Sequence, residues 1–362
     1  MANANKVKNM IDKYRLDSHK FHYHADAISD FLNGKDAKPI YVEISPTGFC
    51  NHHCIFCHYN YLGHKGLFPD GRMLSLVDEL KSLSVKSIVF AGIGEPTLHK
   101  ETIPAILKAK SLGFDVAMST NGALLKDNDF NELARCLTWI RFSFNASNAR
   151  DYADIHKTKE GDYDLVLSNI AKLVEAKKKN NSKITIGMQY ILMPQNINGI
   201  EGLAKVAKSI GVDYLVIKHF YPHANNAFKT QPEFPPHELM KELFDLSMTV
   251  SDDNFSFIVR SPDILIEERS YDKCYGLPYV IYIREDGDVY SCFAYQDDKK
   301  MVLGNILNDS MVDIWNSKQK KNALNYINNC IDKKKCQPSC RHHQINNYLW
   351  SLKNPPEHVN FI

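Results

Sequence analysis

The chain has 362 residues, 44% hydrophobic and 24% charged, with a formal net charge of +2. It is longer than one average domain and has the composition of an ordinary globular protein, which excludes a disordered or low-complexity chain. Its charge is dispersed: Lys177–Lys179 and Lys333–Lys335 read as solvated helix or loop faces, so no nucleic-acid partner is expected. No apolar run approaches the ~18 residues that span a bilayer, so no membrane partner is expected either.

Met1 to Lys20 is polar and partly acidic, which fits neither a secretory signal nor a transit peptide. A cytoplasmic, reducing location is therefore expected, where nine cysteines argue for metal sites or free thiols over disulfides. Residues 1–39 read as an N-terminal helical extension. From residue 40, short apolar runs suited to buried strands begin: Tyr41–Ile44, Ser87–Ala91, Asp115–Ser119, Trp139–Phe144, Lys183–Leu192 and Tyr214–Lys218. Between them lie segments with helical spacing at Leu74–Leu83, Ile103–Leu112, Phe130–Leu137, Leu165–Ala176 and Ile200–Ile210. Gly113 and Gly211 follow two of these helices, where a left-handed cap wants glycine. Cys136 reads as a buried helical cysteine. The alternation implies βαβ units and a parallel sheet, either doubly wound or an open barrel.

The alternation is expected to end near residue 220. Residues 222–237, with Pro222, Pro232, Pro235 and Pro236, read as a linker, and Leu239–Val250 as an amphipathic helix; together they suggest a linker segment over 226–270. A cysteine-rich segment, 271–345, carries a hairpin signal at Glu285-Asp286-Gly287-Asp288, and 346–362 reads as a tail.

The chemistry concentrates after the strands. Cys50, Cys54 and Cys57 form a C-x3-C-x-Φ-C run in which Φ is Phe56. An iron–sulfur cube normally takes four thiolates, so three would leave one iron open to a small molecule. A zinc knuckle completed by His52, His53 or His58 is the competing reading. After the second strand stands Ala91-Gly92-Ile93-Gly94-Glu95-Pro96, where glycines permit close approach of a ligand and a carboxylate is placed to receive an ammonium group. A plain strand–helix turn would also account for it. Ser119-Thr120-Asn121-Gly122, Ser143-Phe144-Asn145-Ala146-Ser147, Gln189 and Lys218-His219 follow on later strands.

Over roughly residues 40–220 these motifs resemble the radical S-adenosylmethionine superfamily. The resemblance implies a partial (β/α)6 TIM-type barrel over 40–225, with Cys50, Cys54 and Cys57 holding a [4Fe–4S] cluster whose open iron takes S-adenosyl-L-methionine. It implies cofactor contacts from Phe56 near the adenine, from Gly92, Gly94 and Glu95 at the methionine end, and from Ser143 and Asn145 at the ribose. One electron from the reduced cluster would cleave the sulfonium, giving a 5′-deoxyadenosyl radical that takes hydrogen from an unactivated carbon. A small-molecule substrate and an electron donor such as flavodoxin or ferredoxin follow from that chemistry.

Cys274 and Cys292 flank the hairpin signal, and Cys330, Cys336 and Cys340 are spaced C-x5-C-x3-C. A zinc ribbon is the rival reading. Beside a radical core, the pattern resembles the auxiliary-cluster extensions called SPASM and, in shorter form, Twitch. Ile327 stands where the full SPASM pattern has a cysteine, and no cysteine follows Cys340. One auxiliary [4Fe–4S] cluster is therefore expected, on Cys274, Cys292, Cys336 and Cys340 in a small α+β domain, with Cys330 spare or alternative.

The substrate is less legible. His99, His156, Lys157, Gln189, Lys218, His219 and Tyr221 are candidates at the barrel mouth, and no catalytic residue is assigned. The first expectation is oxidation or epimerisation of a small polar metabolite of sugar or cyclitol type. The alternative is a maturase acting on peptide or protein side chains. A third reading is a non-catalytic iron–sulfur or zinc-binding protein.

Overall fold

The structure, a computed structural model, describes residues 14, 18–63, 65–221, 227–229, 234–260, 269–337 and 340–361. In chain order its first elements are α1 (Ala25–Leu32), β1 (Tyr41–Ile44), α2 (Arg72–Ser82), β2 (Ser87–Phe90), α3 (Thr102–Ser111), β3 (Asp115–Thr120) and α4 (Asp127–Cys136). Then come β4 (Trp139–Ser143), α5 (Ala149–His156), α6 (Gly161–Lys179), β5 (Thr185–Leu192), α7 (Ile200–Ile210), β6 (Tyr214–His219), α8 (His237–Val250) and β7 (Ser256–Val259). The last are β8 (Val280–Ile283), β9 (Asp288–Tyr290), β10 (Val302–Asn305), α9 (Met311–Asn316), α10 (Lys318–Cys330) and α11 (His343–Lys353).

The chain divides into two compact units: a core unit of residues 44–77 and 87–262, and a flanking unit of residues 1–43, 78–86 and 263–362. In the core unit, β2 to β7 pair in sequence order, each parallel to the next. The central strands are buried almost throughout, as in Tyr214–Ile217 of β6, which is why they read as apolar runs instead of alternating ones. The sheet stays open; among the described residues no strand pairs beyond β7. Gly113 and Gly211 hold φ of +85° and +91°, the left-handed conformation that ends α3 and α7. Lys177 ties α6 to the sheet by donating to both oxygens of Asp213 at 2.7 Å, and Asp213 also accepts the Ile186 N–H at 2.6 Å. Lys177 is thus not simply a solvated lysine.

Two elements escape the sequence pattern. The alternation does not end near residue 220, because β7 joins the sheet beside β6. α5 was not anticipated as a helix; its Asn148 cap accepts the Asp151 N–H at 2.9 Å. Of the proline-rich linker, Pro222 and Pro232 lie outside the described residues.

The flanking unit is built on the antiparallel strands β8, β9 and β10. The turn joining β8 to β9 carries Gly287 at φ +84°, as the Asp-Gly signal implies. Residues from the N-terminal segment share this unit's core: Phe21 packs on Tyr279 at 4.7 Å and Phe31 on Tyr275 at 5.0 Å. Lys333 was expected to be solvated but is buried, and its Nζ donates to the carbonyls of Ile327, Asn328 and Ile331 at 2.6, 2.9 and 2.8 Å. These carbonyls belong to the end of α10 and the residue after it, so the ammonium serves as a helix C-cap.

Candidate metal and cofactor centres

The cysteine loop leaves Ile44 and is clamped by backbone bonds on two sides. The carbonyls of Thr47 and Phe49 accept the N–H groups of Gly94 at 3.0 Å and Glu95 at 2.9 Å. Further along, the N–H groups of His53 and Ile55 donate to the carbonyls of His156 and Ile155, each at 3.0 Å. Those two carbonyls end α5 and have no partner inside it, so the loop satisfies the helix end while the helix holds the loop.

The glycines after β2 have a packing cause. A Cβ on Gly94 would lie 2.2 Å from the Phe49 carbonyl oxygen and 2.5 Å from that of Thr47. Gly92, at φ +114°, leaves no room either, with Ser45 Cβ 2.6 Å from the position of its missing side chain. The close approach observed is to the protein's own cysteine loop.

Glu95 is buried, and its carboxylate is taken up by the fold. One oxygen accepts from Thr97 N–H, Thr97 Oγ1 and Thr120 Oγ1 at 3.1, 2.7 and 2.6 Å, and the other from Asn121 N–H at 2.7 Å. This side chain, expected to receive an ammonium group, also braces two strand ends. Burial raises its pKa, against the pull of those donors.

Asn145 is likewise fully buried and engaged internally. Its Oδ1 accepts the Ile191 N–H at 2.6 Å, and its Nδ2 lies 3.3 Å from His156 Nε2. Ser143 is half-buried at the end of β4, in register with Gln189, whose Oε1 accepts from Lys218 Nζ. Phe56 is half-buried, its ring edge-on to His156 at 5.7 Å.

The three thiols are half-buried and lie within electrostatic reach of one another. Burial pushes Cys50 up to about 11 and is also the leading cause of the upward shifts at Cys54 and Cys57. Held neutral in the metal-free chain, such thiols release their protons when a metal binds. Donors already face the sulfurs: His52 N–H reaches Cys50 Sγ at 3.4 Å, and His156 Nδ1 lies 3.2 Å from Cys54 Sγ. The donor set therefore fits a thiolate-held cluster.

The zinc reading deserves comparison, because donor atoms of His52, Cys54 and His156 lie within 4.8 Å of one another. Nε2 of His156, however, accepts the Asn145 backbone N–H at 3.3 Å. That leaves the ring proton on Nδ1, which makes His156 a donor toward Cys54 and removes it as a ligand. The His52 ring is buried, with its Nε2 3.4 Å from Asp162 Oδ2, so it faces a carboxylate.

Other mouth candidates resolve differently. His99 is buried between Phe68 O, 2.9 Å from its Nε2, and the Glu101 N–H, 3.1 Å from its Nδ1, which is a structural role. Lys157 is exposed in the left-handed cap of α5, His219 is buried at the end of β6, and Tyr221 is half-buried.

In the flanking unit the structure brings Cys274, Cys292, Cys336 and Cys340 into mutual electrostatic reach, while Cys330 is exposed at the end of α10. Burial pushes Cys274 up to about 12 and is the leading cause of upward shifts at the other three. Arg269 donates to the carbonyls of Cys336 and Gln337 at 3.1 and 2.8 Å, and it lies with Lys333 near the Cys336 thiol. Two cations beside gathered thiols offset the negative charge that a thiolate-held cluster carries. Arg341, next to Cys340, sits over the Phe293 ring at 4.5 Å and donates to buried Glu43 at 2.6 Å. Asn346 is fully buried; its Oδ1 accepts the Gly276 N–H at 2.7 Å. Its amide lies beside Cys274, where a donor suits a charged sulfur.

None of these braces could be found from spacing alone. The one available signal was the adjacency of His52 and His53 to the cysteines.

Comparison with known proteins agrees with this geometry. Residues 44–207 match the radical SAM superfamily, and residues 274–342 match SPASM, an iron–sulfur cluster-binding domain. A Pyrococcus furiosus protein, described as the tungsten-containing aldehyde ferredoxin oxidoreductase cofactor-modifying protein, is 26% identical over 302 residues. That alignment covers 78% of this chain and 82% of the relative. Among solved structures, Streptococcus suis SuiB bound to its precursor peptide SuiA overlays with a TM-score of 0.63 at 17% identity, covering 87% of this chain and 73% of that one. The enzyme anSMEcpe with bound AdoMet gives 0.56 at 19% identity, covering 87% and 95%. Among the described residues no helix is long and apolar enough to cross a membrane.

Proposed function

We propose that this chain, which belongs to the radical SAM superfamily and ends in a SPASM iron–sulfur domain, modifies a peptide or protein side chain by radical chemistry. The superfamily's cofactors, a [4Fe–4S] cluster and S-adenosylmethionine, together with auxiliary iron–sulfur in the SPASM domain, supply an electron and a hydrogen-abstracting radical. The observation that carries the reading is the clamped loop: Cys50, Cys54 and Cys57 are presented between the Gly94 turn and the end of α5. In this reading those three thiols hold the cofactor-binding cluster.

The chain's own residues orient and shield. Glu95 and Asn145 lock strand ends through buried hydrogen bonds, and the Gly94 and Glu95 N–H groups hold the cysteine loop in place. Ser143 and the hydrogen-bonded pair Gln189 and Lys218 are polar side chains offered to ribose or substrate. Cys274, Cys292, Cys336 and Cys340 hold one auxiliary cluster, and an electron donor such as flavodoxin or ferredoxin delivers electrons.

The peptide reading gains support from the SuiB–SuiA overlay. The expectation of a sugar- or cyclitol-type substrate finds no such support. Anaerobically reconstituted enzyme, given deuterated peptides encoded nearby and a nucleotide-sugar panel, decides between them. Deuterium should enter 5′-deoxyadenosine only from the peptides; transfer only from the sugars overturns the substrate class, and no 5′-deoxyadenosine at all overturns the enzyme.

A further inference from the structure

His156 is a buried titratable group that the reaction outlined above does not use, and its surroundings dictate where its proton sits. The Ile191 N–H donates to Asn145 Oδ1 at 2.6 Å, which fixes the amide so that Nδ2 faces the ring. That Nδ2 and the Asn145 backbone N–H each lie 3.3 Å from His156 Nε2. Two donors aimed at one nitrogen make it an acceptor, and the ring proton then resides on Nδ1. Nδ1 lies 3.2 Å from Cys54 Sγ. The ring is fixed in the same orientation by stacking on Tyr152 at 4.2 Å and 21°.

We infer that His156 is a positioning residue that donates an Nδ1–H···S hydrogen bond to the Cys54 thiolate and raises the reduction potential of the cluster held there. The inference rests on the proposed ligand set. Hydrogen bonds to cluster sulfurs stabilise the reduced, more negative state and are one of the levers that set such potentials. Asn145 acts through this histidine by selecting its tautomer.

Two measurements test this. In wild-type metal-free protein labelled with 15N-histidine, long-range 15N–1H correlation should show His156 protonated at Nδ1 and bare at Nε2. The opposite tautomer overturns the inference without any variant. In reconstituted protein, His156→Phe keeps the stacked ring and removes the donor, while His156→Gln offers an amide donor. Redox titration, followed by the EPR signal that changes on adding S-adenosylmethionine, should place the Phe variant at a more negative potential, with the Gln variant recovering part of the shift. Equal potentials in all three at equal iron content overturn the inference. A wild-type chain that assembles no cluster on Cys50, Cys54 and Cys57 overturns the ligand set instead.

Discussion

Replacing Gly94 by alanine tests the clamp on the cysteine loop most directly. The new Cβ would sit 2.2 Å from the Phe49 carbonyl oxygen, 2.5 Å from that of Thr47 and 2.7 Å from the Gly48 carbonyl carbon. All three are backbone atoms, so no side chain can swing aside. Overpacking of this kind costs about 1–3 kcal/mol. If the turn withdraws instead, the Gly94 and Glu95 N–H bonds to the loop, 3.0 and 2.9 Å long, are lost at about 0.5–1.5 kcal/mol each. By either route the clamped loop is disfavoured by about 1–3 kcal/mol, roughly 5- to 140-fold at 1.4 kcal/mol per decade. The assay is iron and acid-labile sulfide per chain after anaerobic reconstitution, alongside denaturant unfolding. Gly202 serves as the control: it lies exposed in α7, and an added Cβ meets nothing within 4 Å. Gly202→Ala should stabilise by about 0.5–1 kcal/mol and leave iron content unchanged. A Gly94→Ala protein that binds iron and unfolds like wild type would refute the clamp.

Cys54→Ala should lose one cluster's worth of iron and all 5′-deoxyadenosine formation, whereas Cys292→Ala should keep the cofactor-binding cluster; retained cleavage in Cys54→Ala would sink the ligand assignment. Lys333→Met removes the donor to three carbonyls and should destabilise the flanking unit by about 1–3 kcal/mol, seen as a lower denaturant midpoint and easier loss of auxiliary iron. An unchanged midpoint would show that water replaces the ammonium. Arg341→Ala leaves buried Glu43 without its cation and should cost about 3–5 kcal/mol, and a compensating Glu43→Gln change should recover part of it. If the double variant is no more stable than Arg341→Ala, the ion pair is not the cause.

Much of the core unit was legible because its signals are local. β1 to β6 are apolar runs, Gly113 and Gly211 mark helix ends through their own φ, and Asp286-Gly287 sets the hairpin by turn geometry. β7 was missed because Ser256–Val259 is a short run whose strand character comes only from pairing with β6. α5 was missed because its eight residues are mostly polar, with just Tyr152, Ile155 and His156 buried. Lys333 was misread because a run of lysines looks solvated until its carbonyl partners are known.

The same division separates the chemistry from its supports. Residue type and spacing alone singled out Cys50, Cys54 and Cys57 as the candidate metal loop, since a thiolate's affinity for a metal belongs to the residue and a short loop constrains its neighbours. Only the tertiary structure decided that Gly94 is small to admit the loop's backbone, that Glu95 and Asn145 turn inward, and that His156 Nδ1 lies 3.2 Å from Cys54 Sγ. It likewise gathered Cys274 and Cys292 with Cys336 and Cys340, and left Cys330 exposed. Each of these depends on hydrogen bonds or contacts between segments tens of residues apart, and the periodicity of one segment carries no information about its distant partner.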